Sequence, residues 1–412
     1  MFERLRITPS LPRSGDQWVA GIASLLPMSL VLGNVAFEVV IGLTGLLWLV
    51  QSVFIRHESL LRIRRHLIFW PLVIWMTGIM LSRVANPFST IEFFHDLVFL
   101  RFVLFVLAIV DISVRLPIDR YLLGGAVAVI ILAAFNTLCA HVLGFDSIGA
   151  PVRFYTDKLL TAERIAVFCA YMFPFFVVRL TSCRDKERAE KIFLCVLTVL
   201  CLGLLVLMKI RTAWLAAAIG ILGGVVIALC GRVRWLMAGS IAMAVIAGGS
   251  LVYYTGYQRG LDTVYDRYWI WQRSLTLWLE HPLLGVGVSG FAKAFHHLVA
   301  DTDLKPYIAP NGQAYKFDNA TNAHNLVLTL LSCTGLWGLG SFFWLVIAAT
   351  RQWLKDDFSR RISLGVIPFV LVGIGLTGYS IYDSFYASIV MYFLAWMASR
   401  TAGNHGQEGV LS

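Results

Sequence analysis

Long apolar runs separated by short basic turns recur along most of this 412-residue sequence. In hydrocarbon every backbone N–H and C=O must find its partner within the chain, so only helices and closed barrels cross a bilayer. A barrel strand alternates apolar and polar residues, whereas these runs stay apolar for about 18 residues or more, as a crossing helix requires. Composition agrees: 58% of residues are hydrophobic, 14% are charged, and the mean hydropathy is +0.75. Such a chain has too much apolar surface for a soluble domain of its size. The expected fold is all-α and polytopic.

Length and flanking residues predict about twelve spans, near 17–34, 35–55, 67–83, 96–113, 120–143, 163–181, 190–209, 211–230, 233–252, 324–350, 362–379 and 382–400. Placing the N-terminus in the cytoplasm puts Arg56, Arg62, Arg64, Arg65, Arg184, Lys186, Arg188, Arg232, Arg234, Lys355, Arg360 and Arg361 in cytoplasmic loops. About 21 of the 34 Lys and Arg then lie on that side, in short loops, as the positive-inside bias requires. The expected location is a bacterial inner membrane with both termini cytoplasmic. The net charge of +10 is explained by topology, so no nucleic-acid partner is implied. The first apolar run reads as an ordinary span and not a cleaved leader. The seven cysteines avoid the long outer loop and form no CxxC, which speaks against a disulfide framework or a zinc knuckle.

The spans divide the chain into a helix bundle at 1–252, an outer loop at 253–323 and a second group of helices at 324–412. A second, shorter outer segment lies near 144–162. The long loop exceeds what a connection needs, which points to function. Within it, Arg267–Glu280 reads as a Trp-rich helix suited to a bilayer interface, ended by His281-Pro282. Phe291–Val299 suggests a second short helix. No internal repeat is evident, so an inverted-repeat transporter gains no support.

The chemistry-bearing residues cluster around that loop. His324 sits where it meets the next span, with Thr321 or Asn322 as the expected helix cap. A histidine takes a proton near neutral pH, which suits a general base; on position alone, an interfacial histidine held by a hydrogen bond is the stronger reading. Arg211 lies in a turn, Lys209-Ile210-Arg211, too short to leave the membrane surface, where it can bind a substrate diphosphate or lipid headgroups. Arg267 and Arg273 are six residues apart, about 240° around a helix, so they are not expected to face one site.

Other patterns have plainer readings. Gly285-Val-Gly287-Val-Ser-Gly290 is formally GxGxxG, but no strand precedes it, so a tight turn is favoured over a backbone nest for phosphate. Asp301-Thr302-Asp303 resembles a DxD metal motif but lies on the wrong side for nucleotide sugars. His281, His296 and His297 lack metal-ligand spacing, and no metal or cofactor is expected. Asn319-Ala320-Thr321 is a formal sequon without weight here. Glu38, Asp96 and Arg101 fall in or beside spans; Asp96 and Arg101 are expected to pair, in a structural role.

From about Lys209 to Gly340 the chain resembles the O-antigen ligase and polymerase superfamily of bacterial envelope enzymes. The residues that carry the resemblance are Arg211-Thr-Ala-Trp, Arg267 followed by Trp271, His281-Pro-Leu-Leu-Gly-Val-Gly-Val-Ser-Gly-Phe291, and His324-Asn-Leu-Val-Leu followed by Gly335-Leu-Trp-Gly338. Members transfer a glycan from undecaprenyl diphosphate to an acceptor hydroxyl outside the inner membrane. The resemblance implies His324 as base and Arg211 and Arg267 on the diphosphate. Arg273, Lys209, Asn325, Gly285 and Gly287 are further candidates for that site. The expected function is an inverting, metal-independent O-antigen ligase whose acceptor is lipid A–core. An O-antigen polymerase, an O-linked protein oligosaccharyltransferase and, in another class, a lipid or solute transporter are the rivals.

Overall fold

The computed structural model describes residues 14–55, 57–85, 96–143, 159–181, 188–208, 210–229, 262–301, 307–308, 314–315, 320–378 and 380–400. The ninth expected span, Lys209, Asp303 and Asn319 lie outside them, as does most of the segment near 144–162. The regular elements among the described residues are helices apart from Tyr307–Ile308 and Ala314–Tyr315, two short strands that pair antiparallel in the outer segment and were not expected.

The helices are α1 (Ser14–Ser24), α2 (Leu26–Leu32), α3 (Asn34–Phe54), α4 (His57–Arg64), α5 (Phe69–Ala85), α6 (Leu100–Ser113), α7 (Ile118–Leu143), α8 (Leu159–Thr181), α9 (Arg188–Met208) and α10 (Arg211–Leu229). The outer segment contributes α11 (Asp262–Glu280) and α12 (Phe291–Asp301). They are followed by α13 (Leu326–Trp353), α14 (Phe358–Leu364), α15 (Val366–Thr377) and α16 (Ser384–Ala398).

Five of these helices are long and apolar enough to cross a membrane, or seven if two bent pairs each count as one span. The pairs are α1 with α2, bent by 42°, and α4 with α5, bent by 87°. The expectation of twelve exceeds this partly because several helices are short. The 14 residues of α6 extend only about 21 Å, against a hydrocarbon core of about 30 Å.

Register fixes which helix ends meet. Arg101 at the start of α6 bonds Glu38 near the start of α3 and Ser384 at the start of α16. Arg164 in α8 bonds Asn34 at the start of α3. Helices α10 and α15 run antiparallel: Gly365 lies against Ile227, and Gly373 against Ala216. Continuing that register carries Arg211 toward the C-terminal end of α15, where Gly375 abuts Leu326 at the start of α13. The starts of α3, α6, α8, α10, α13 and α16 therefore gather at one end, here the site end.

The opposite, basic end is held by ion pairs. Arg115 bonds Asp16 and Asp111 at 2.9 Å each, and Arg62 reaches Asp111 at 3.1 Å. Arg360 bonds Asp119 and Asp356 and the carbonyls of Trp396 and Ser399. These arginines come from turns that the sequence places on one side of the membrane.

Candidate functional site

His324 is held by two asparagines. Asn322 Oδ1 accepts from the His324 N–H at 2.8 Å, closing an Asx turn. Asn325 is extended, and its Oδ1 accepts from Leu328 N–H at 3.1 Å, so Asn325 is the cap of α13. The expected caps, Thr321 and Asn322, are thus corrected: Asn322 spends its side chain on the turn before the helix. Between the two, His324 has φ +49°, the one non-glycine residue with positive φ among the described residues. Left-handed backbone at a non-glycine position costs free energy and concentrates at functional sites. Ala320 and Ala323 are buried and anchor the turn from below.

The ring is oriented by a carbonyl. His324 Nδ1 lies 3.2 Å from Gly378 O. A carbonyl only accepts, so Nδ1 carries the hydrogen, and Nε2 is the basic nitrogen of the neutral ring. Burial lowers the imidazole pKa below its ordinary value, and the Arg267 charge lowers it further; the Gly378 carbonyl and Glu163 oppose both. The ring is therefore neutral near pH 7, as a base must be.

Arg267, in the second turn of α11, lies beside the same glycine. A methyl group at position 378 would be 3.3 Å from Arg267 Nη2. Arg273 goes elsewhere: its guanidinium lies over the Trp269 ring, 5.2 Å from the centroid. Arg211 begins α10 at the site end, on the helix packed along α15, whose end leads into Gly378. Three of the residues singled out in the sequence thus come from separate elements to one end of the bundle.

The glycine-rich turn has a structural task. Helix α13 breaks at Gly335, and the turn fills the break. Val286 N–H and Gly287 N–H donate to the carbonyls of Ser332 and Cys333 at 2.8 Å. In return Leu336 N–H and Trp337 N–H donate to Pro282 and Leu283 O at 2.9 and 3.2 Å. Gly285 and Gly335 have φ of +65° and +64°, and a Cβ on either would sit within 2.6 Å of the partner backbone. Only glycine fits at both. Gly285 N–H donates to His281 O, so the amides at 285–287 are all directed at protein carbonyls and form no nest for a phosphate.

Two charged neighbours were not singled out in the sequence. Glu163 acts electrostatically on both His324 and Arg164. Arg164 is 6% exposed, bonds Asn34 and lies over the rings of Phe37 and Phe385, with Asp383 and Tyr386 nearby. The signal was present: a Glu-Arg pair at the start of an apolar run is costly in a membrane and marks a site. The expected Asp96–Arg101 pair is corrected. Arg101 pairs with Glu38 at 3.3 Å, while Asp96, fully buried, accepts from Ser289 Oγ at 2.9 Å. Among the described residues, no group of three or more His, Cys, Asp or Glu is placed to hold a metal ion.

A neutral imidazole with its basic nitrogen available, next to fixed guanidinium charge, can take a proton from an alcohol while an anionic leaving group is stabilised nearby. Residues 196–343 match the family model described as O-antigen ligase, a segment that includes Arg211, Arg267 and His324. No curated protein matches the chain.

Proposed function

We propose, from the similarity of residues 196–343 to the O-antigen ligase family and from the geometry around His324, that the chain is an O-antigen ligase. It transfers a glycan from undecaprenyl diphosphate to a hydroxyl of lipid A–core. About twelve crossings embed it in the inner membrane. The basic end and both termini face the cytoplasm, and the site end faces the periplasm with the outer segment 253–323 above it.

In the reaction the acceptor oxygen attacks the anomeric carbon and its proton passes to His324 Nε2. The bond from that carbon to the phosphate oxygen breaks, and undecaprenyl diphosphate leaves with the electron pair. A diphosphate is a weak base, so it needs charge stabilisation more than protonation. Arg267 and Arg211 supply this as paired N–H donors, in place of a metal. Glu163 steadies the imidazolium that forms. A single displacement inverts the anomeric centre.

The observation that carries this reading is the left-handed turn that fixes His324, with Nδ1 on the Gly378 carbonyl, beside Arg267. The test is lipopolysaccharide banding in a strain lacking its own ligase but still making core and lipid-linked glycan. The natural chain should restore the long ladder, and His324→Ala should fail at equal membrane expression. Restored glycan length on the lipid carrier alone would assign the polymerase reaction instead. Lipid movement across vesicles without glycan transfer would assign a transporter, and a fully active His324→Ala would remove the base.

A further inference from the structure

At the basic end, away from the site, three basic residues lie on elements that meet: Arg360 bonds Asp356, next to Lys355, and the Ser399 carbonyl, next to Arg400, while Trp337 of α13 donates to the Ile74 carbonyl of α5. His66 lies in the turn between α4 and α5, Lys355 between α13 and α14, and Arg400 just after α16. Both Lys355 and Arg400 act electrostatically on the His66 ring, and after burial they are the main causes that lower its pKa to about 4. The ring is therefore neutral. Its Nδ1 accepts from Ile68 N–H at 3.4 Å, which leaves the hydrogen on Nε2. That Nε2 is buried and has no hydrogen-bond partner.

The cluster thus offers an N–H, an ammonium and a guanidinium, with no acceptor among them. Lys355 and Arg400 are exposed, and neither forms an ion pair with a described residue. The nearby carboxylates are engaged elsewhere: Asp356 on Arg360, and Asp357 on the Arg360 N–H. The Arg400 backbone is anchored, since its N–H donates to Ser113 Oγ at 3.0 Å. The surroundings are those of a lipid surface. Leu67, Trp70 and Leu354, sequence neighbours of the cluster, are 43%, 46% and 51% exposed, and Arg64 lies over the Trp70 ring. Interfacial Trp beside basic residues marks the headgroup level of a bilayer.

We propose that His66, Lys355 and Arg400 form a binding site for the phosphodiester of an anionic phospholipid, whose acyl chains run along Leu67, Trp70 and Leu354. A phosphodiester supplies the acceptor oxygens that all three groups lack. The apolar surface beside them favours a lipid over free phosphate. The site needs the helices to lie in a bilayer but does not rest on glycan transfer.

The test is native mass spectrometry of the full-length protein released from vesicles of phosphatidylethanolamine with added phosphatidylglycerol. The natural protein should retain a phosphatidylglycerol molecule that Lys355→Gln/Arg400→Gln holds about 25-fold more weakly, the product of about a fivefold loss for each cation at an anionic surface. His66→Phe, which keeps both charges, should lose that molecule too and stands in if the double variant does not fold. Arg188→Gln/Lys191→Gln, on another part of the basic end, should retain it. Equal retention by the natural protein and the first two variants would overturn the site. So would equal loss in the Arg188/Lys191 control, which would mean diffuse surface charge. Displacement by inorganic phosphate at matching concentration would reassign the cluster to a free anion.

Discussion

The two ends of the bundle hold most of their arginines differently. At the basic end Arg115, Arg62 and Arg360 are matched by Asp16, Asp111, Asp119 and Asp356 within 3.1 Å, and their charge is consumed by the fold. At the site end Arg164 rests on an amide oxygen and two aromatic rings, Arg273 on an indole, and Arg267 beside a glycine and a histidine. Rings and amides hold Arg164 and Arg273 in position without cancelling their charge, whereas Arg101 at the same end is paired with Glu38. On the proposed function the same residue type is a staple at one end and, at Arg267, an anion-binding group at the other.

The sharpest way to break this comparison is at His324. His324→Ala should cut glycan transfer by about 10²–10⁴-fold, the usual contribution of a general base, with membrane yield unchanged. A purified assay with lipid-linked donor and core acceptor reads it. Arg267→Gln and Arg211→Gln should each cost about 10²–10³-fold, as for loss of one donor to a developing anion. If either arginine serves only the fold, the melting temperature will fall and turnover per folded molecule will hold.

That last pattern is the one expected at the other end. Arg360→Ala leaves Asp356 buried without its partner and should lower stability by about 3 kcal/mol, tempered because Asp119 is one-third exposed. Denaturation in detergent should show the loss, with transfer per folded molecule near normal. Losing activity but no stability would erase the distinction between the ends.

The smallest effect is the most diagnostic. A base works unprotonated, so activity should persist below the ordinary histidine range and fall only as pH drops through the lowered His324 pKa. Glu163→Gln removes a charge that raises that pKa, so the acid limb should move to lower pH. Arg267→Gln removes one that lowers it, so the limb should move to higher pH in whatever activity remains. Shifts of the opposite sign would place these charges away from His324.

Much of this arrangement was readable in the chain. The apolar runs located most helices, because crossing lipid dictates their length and composition. His324 stood out as a polar residue at the edge of such a run, and Arg267 through the family resemblance. What was not readable depends on contacts between distant segments. Nothing near His324 in sequence announces that the Gly378 carbonyl orients its ring or that Glu163 acts on it. Likewise, five-residue spacing suggested that Arg101 pairs with Asp96, but parallel packing of α3 and α6 brings Glu38 to it instead. The cap failed for a local reason: three asparagine-like capping residues precede α13, and the turn at His324 takes one before the helix begins.

The break at Gly335 ties the assembly of two distant segments to each other. A helix interrupted in hydrocarbon exposes carbonyls and amides that nothing in the lipid can satisfy. Here their partners lie about fifty residues earlier, in a segment that leaves the ribosome first. Helix α13 and the earlier turn therefore reach their final form together, as each closes on the other. A protein nicked between α12 and α13 should stay in one piece, its two fragments laced together through their main chains.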